Sequence, residues 1–145
     1  TRPDERLVAD GWLLADAAKL SASAEAYRQY IGRSAGEWSV AKHVYVAPRT
    51  GWFSCRTACY LAAGRPAVVQ DTGWSRYLPS GSGLIAFSTL EEALAGLEAV
   101  AADPARHRAA ALEVARAYLS PQAVLPPMLA SIFDTPTPPP GHEAA

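Results

Sequence analysis

Residues 50–73, Thr-Gly-Trp-Phe-Ser-Cys-Arg-Thr-Ala-Cys-Tyr-Leu-Ala-Ala-Gly-Arg-Pro-Ala-Val-Val-Gln-Asp-Thr-Gly, constrain the fold more than any other part of the chain. In order they form a glycine-bearing loop, a short helix, a buried strand and a second glycine turn. Ser54 stands where an N-cap belongs, the helix extends to about Ala63, and Gly64 suits the left-handed residue that closes it. Pro66 then opens Ala67-Val68-Val69-Gln70, a continuous apolar run of the kind buried on both faces of a parallel sheet. This order sets two rows of backbone N–H groups at one edge of a sheet. Such an edge is where α/β proteins hold phosphorylated ligands.

The flanking segments extend the pattern. Trp12-Leu13-Leu14-Ala15 is an apolar run expected as an edge or lead-in strand, although four residues do not separate strand from helix. Ser23 or Ser21 caps a helix through Ala24–Ile31, with Gly32 and Gly36 bracketing its end. Glu37–Val40 and Val44–Ala47 favour strand. Asp71-Thr72-Gly73 is a turn, residues 79–83 a glycine-rich loop, and Leu84-Ile85-Ala86-Phe87 a further short buried strand.

Three helices follow. Ser88 or Thr89 caps the first, Glu91 or Glu92 completes a capping box, and Leu90, Leu94, Leu97 and Val100 or Ala101 form its apolar stripe. Asp103-Pro104 and Ser120-Pro121 open the other two with a capping side chain before proline. Strands separated by helices imply an α/β fold, a Rossmann-like parallel sheet flanked by helices. The strands are few for a complete doubly wound sheet. The expected organisation is a disordered or linker segment over 1–9, one domain over 10–133, and a Pro-rich disordered tail over 134–145.

At 145 residues, half of them hydrophobic, the chain can bury a core of its own. A net charge of −1 provides no field for nucleic acid, and no apolar run reaches the roughly 20 residues of a membrane helix. Cys55 and Cys59 lie four apart on one helix face, where a disulfide would strain the helix and no histidine pair completes a zinc set. They are expected as buried thiols in a cytoplasmic protein, with no metal or cofactor.

The site candidates cluster in the opening stretch. Gly51 permits close backbone approach, and the amides of Phe53, Ser54 and Cys55 sit at a helix N-terminus that favours a phosphate. Arg56 could add a bidentate contact, while Thr72 and Gly73 follow the carboxyl end of the buried strand. Trp52, Phe53 and Trp74 are either core or a platform for a ring. Lys42 and His43 could face the cleft, and Glu37 is a possible acid or base, but no spacing supports a triad. There is no Gly-Lys-Ser or Gly-Lys-Thr, and Gly81-Ser82-Gly83 precedes a strand instead of a helix, so neither phosphate fingerprint applies.

As an ordered set, Gly36–Lys42, Gly51–Arg56, Tyr60–Pro66, Val68–Gly73, Gly83-Leu84, Leu90–Ala93 and Asp103–Arg106 resemble the C-terminal domain of bacterial glycosyltransferases of the GT-B fold, family 1/group 1 type. The resemblance spans roughly residues 10–133. It implies that the chain binds the nucleotide and diphosphate of a nucleotide-sugar, with a missing N-terminal domain carrying the acceptor.

On this resemblance Gly51, Trp52, Phe53 and Ser54 face the diphosphate, and Arg56 and Lys42 offset its charge. Asp71, Thr72 and Gly73 lie near the nucleotide or sugar. Many retaining relatives carry a spaced pair of glutamates around this helix, and Gly51 and Cys59 occupy those places here. The implied function is therefore the donor half of an enzyme transferring a sugar from a nucleotide diphosphate, inactive by itself. The alternative is a non-catalytic α/β nucleotide-binding or interaction module.

Overall fold

A computed structural model describes residues 3–133. The chain is α/β: a three-stranded parallel sheet of order β1 (Glu37–Ser39), β2 (Ala67–Gln70) and β3 (Leu84–Phe87), with helices on both faces. The register pairs Glu37 with Ala67 and Ala67 with Leu84. β2 is central, which explains its uninterrupted apolar run: Ala67, Val68 and Val69 are all buried.

Alternation along the strands divides the core in two. Ala67, Val69 and Leu84 point to one face, where they pack with Leu61 of α5 (Cys55–Ala62) and with Ala111 and Val114 of α7 (Pro104–Val114). Val68, Ile85 and Phe87 point to the other and meet Ala93 of α6 (Leu90–Ala102). α3 (Ala24–Arg33) lies beside α5, the two lining one groove.

The capping signals act as expected. Ser23, Ser54, Thr89 and Asp103 each accept a backbone N–H at the start of a helix, and Thr89 forms a full capping box with Glu92. Ser120 likewise accepts from Ala123 N ahead of α8 (Pro121–Phe133). Gly64 takes φ +66° at the end of α5.

Several expectations are corrected. Trp12–Ala15 pairs with no strand among the described residues; Trp12 stacks instead on Trp38 of β1, ring centroids 6.0 Å apart. Residues Pro3–Ala9 form helix α1, where linker or disordered chain was expected. Val44–Ala47 was expected as strand, but His43–Val46 form the short helix α4. It turns the chain from β1 into the next loop and sets Tyr45 in parallel stacking on Trp52, 4.8 Å apart; that packing overrides β propensity. α3 continues through Gly32 to Arg33. The expected tail over 134–145 lies outside the described residues.

The apolar stripe of α6 is rotated from its expected position. Gly96, not a leucine, faces the sheet, so close that an added Cβ would lie 3.0 Å from Val68 Cγ1 and 3.1 Å from Ile85 Cγ2. Leu90 and Leu94 consequently face outward, and Leu97 is exposed in a groove at the rim of the sheet. The tightest approach is at Gly83. An added Cβ there would fall 2.3 Å from the Ala111 N, and φ is +74°. Gly83→Ala should destabilise the fold by about 3 kcal/mol, overpacking added to a left-handed backbone. Gly32→Ala, with open space around it, should be neutral or stabilising by up to about 1 kcal/mol. Urea denaturation of both variants checks the contrast.

Candidate functional site

Two loops meet at the carboxyl edge of the sheet, residues 49–53 before α5 and residues 71–75 after β2. Asp71 organises both. It is buried, and its carboxylate accepts from Gly73 N at 2.8 Å, Ser75 N at 3.4 Å, Ser75 Oγ at 2.9 Å and Arg49 Nη2 at 2.9 Å. Gly51 N donates to Thr72 O at 2.8 Å, and Thr72 Oγ1 donates to Trp52 O at 2.6 Å. Gly73, at φ +99°, lets the loops touch: an added Cβ would lie 2.9 Å from Arg49 O. Burial acts to raise the Asp71 pKa, but the bonds from Gly73, Ser75 and Arg49 outweigh it and hold the carboxyl below its ordinary value.

Between these loops and the ends of β1 and β2 lies a notch lined by Val40, Trp52, Phe53, Ser54, Gln70 and Trp74, among others. Its water-accessible volume is about 10 Å³, room for about one water molecule. Phe53 meets Trp74 edge-on at 5.6 Å, and Trp74 is buried with Nε1 donating to Gln70 O. Those two rings are core. Trp52, stacked on Tyr45 and 40 % exposed, is the ring that solvent reaches.

At the N-terminus of α5 the Ser54 hydroxyl accepts from Arg56 N at 3.2 Å. The amides of Phe53, Ser54 and Cys55 have no acceptor among the described residues. Three free N–H groups at the positive end of a helix can receive an anion. No group of three or more metal-ligating side chains occurs among the described residues.

The structure brings Trp52, Phe53 and Ser54 together on the notch. Gly51, Asp71, Thr72 and Gly73 do not line it; they hold the loops that do. Lys42 is exposed at the start of α4 and also stands off it, as does His43. Arg56 is directed elsewhere: its Nε donates to Glu37 Oε1 at 2.7 Å, where Ser39 Oγ also donates. Glu37 is buried, and Oε2 has no partner among the described residues. The buried carboxyl is therefore an ion-pair partner of Arg56 at the start of β1. Cys55 and Cys59, expected to be buried, are both exposed and free.

Gln70 was missed as a site residue. Its Oε1 accepts from Ala41 N at 3.0 Å and ties the ends of β1 and β2 together at the notch. Its place as the polar last residue of a buried strand was the available signal. No helix among the described residues is long and apolar enough to cross a membrane. Comparisons with protein-family models, with curated proteins and with solved structures find no match.

Two outcomes test this wiring. Arg56→Ala should cost about 2 kcal/mol, because it strands a buried carboxylate; the half-exposed guanidinium keeps the loss below that of a fully buried pair. Stability should also fall in acid. Asp71 binds its proton less readily in the folded chain, so its contribution is whole above about pH 4, the unfolded value, and is lost as pH drops through the lower folded value. Asp71→Asn should lower stability by about 2 kcal/mol at pH 7 and flatten that acid limb, as read by urea midpoints across pH.

Proposed function

We propose that this chain is the donor-binding part of a glycosyltransferase, holding the diphosphate of a nucleotide-sugar for transfer to an acceptor. One observation carries the reading: the unpaired amides of Phe53, Ser54 and Cys55 sit at the N-terminus of α5, beside a notch at the carboxyl ends of parallel strands. The ordered sequence resemblance supplies the substrate class.

In this reading the diphosphate rests on the α5 amides and Trp52 offers a ring face beside them. Lys42 becomes the mobile cation, since Arg56 is engaged with Glu37. The notch is far smaller than the roughly 300 Å³ of a ligand pocket, so the chain provides one wall and another domain provides the second. Chemistry requires both walls, and this chain alone binds without turning over. A non-catalytic binding or interaction module is the second reading, favoured by the commitment of Arg56 to the core.

Titration with UDP, GDP, ADP and TDP, followed by tryptophan fluorescence, tests the proposal. A saturable change with at least one of them is expected. Cys55→Pro removes one amide at a first helical position that accepts proline, and Ser54, at φ −78° and ψ 133°, suits a following proline. That variant should bind about tenfold more weakly, one charged hydrogen bond, with unchanged urea stability. No response to any nucleotide would sink the reading.

A further inference from the structure

The outer edge of β1 is open. Glu37 N bonds inward to Pro66 O and Ala41 N inward to Gln70, so the alternation of a parallel ladder turns the backbone of Trp38 and Val40 outward. Neither residue's N–H or C=O has a backbone partner beyond that edge among the described residues. The opposite edge, on β3, is closed by its own loop: Ser80 Oγ accepts from Ala86 N and Gly81 N donates to Leu84 O. Beside the open edge lies a groove of about 340 Å³ lined by Trp38, Val68, Leu97 and Val100.

The fold specifies what belongs at that edge. Crossovers between parallel strands are right-handed. α5 links β1 to β2 on one face of the sheet, and α3, which precedes β1, lies on that same face beside α5. Two such crossovers on one face step across the sheet in one direction. The strand that feeds α3 therefore belongs on the far side of β1 from β2. Trp12–Ala15 is the apolar segment that feeds α2 (Ala17–Leu20) and α3, and the intervening residues 16–36 are long enough for a crossover. Trp12 already stacks on Trp38, yet Leu13 is 97 % exposed.

We infer that residues 12–15 dock on the open edge of β1 as a fourth parallel strand, with Trp12 opposite Trp38 and Leu14 opposite Val40. In the structure the segment lies off this seat, with Trp12 stacked on Trp38 and its amide bonded to Leu7 O. A second copy fits the edge poorly. Pairing two β1 strands would set the α6 helices, which rest on β2 and β3, about 19 Å apart at about 4.8 Å per strand. Packed helices stand only about 8–10 Å apart, so the Trp38 groove would stay bare. Docked, the segment ends with Ala15 beside Ala41, one of the residues lining the notch, and extends its wall. The inference stands whatever the notch binds.

Cysteine pairs test the register in the full chain, with Cys55 and Cys59 replaced by serine. Leu14→Cys with Val40→Cys places two thiols on one face of neighbouring strands, within disulfide reach. Leu13→Cys with Val40→Cys places them on opposite faces. In a glutathione redox buffer, the first pair should close within the monomer at least tenfold more readily than the second, and the unaltered chain should show slowed amide exchange at Trp38 and Val40. Equal closure of both pairs, bridging between chains, or unprotected amides at Trp38 and Val40 would each overturn the inference.

Discussion

Asp71 is the constraint on which the carboxyl edge of the sheet depends. A carboxylate buried at the end of β2 must be compensated, and four donors from its own turn and from Arg49 do so. Because Arg49 belongs to the loop before α5, satisfying this one charge also fixes where α5 begins. The loop-to-loop bonds of Gly51 and Thr72 follow from that alignment. The glycines serve geometry: Gly73 admits Arg49 O where any side chain would collide. The positions of the α5 amides are thus set by a charge that never touches the notch.

A second buried carboxylate works the same way on the side of the sheet. Glu37 opens β1 and is held by Arg56 from the first turn of α5. Together the pairs Arg49–Asp71 and Arg56–Glu37 secure both ends of the approach to α5, one to each neighbouring strand. Both cations sit in the stretch that reads as phosphate-binding, and both are committed to protein carboxylates. The loop before α5 also offers unpaired backbone N–H groups and the exposed Trp52 indole, with the solvated Lys42 nearby in sequence.

Much of this was legible locally. Ser54, Gly64 and Pro66 fixed α5 and the start of β2, and Thr89, Asp103 and Ser120 fixed three helix starts, because capping depends on residues within one turn. Three apolar residues in succession in β2 announced a strand buried on both faces. The errors fall where a distant partner decides. Val44–Ala47 reads as strand, but His43–Val46 turns helical and lays Tyr45 on Trp52. Leu90 and Leu94 read as part of the apolar stripe but face outward, because Gly96 lets α6 approach the sheet on its small-residue side. Arg56 reads from its neighbours as a ligand or surface cation, and its bond to Glu37, nineteen residues earlier, is visible only in the fold.

The sequence by itself determined the α/β class, the order of elements from α5 to α8, and the loop–helix–strand unit whose amides can meet an anion. Those follow from caps, glycines and periodicity, which act over a few residues. Only the tertiary structure decided which charges are spent inside the protein, which face of α6 is buried, and that the edge of β1 stands open beside Trp12. Each is settled by which groups the packed chain brings within bonding distance, and no spacing along the sequence encodes that.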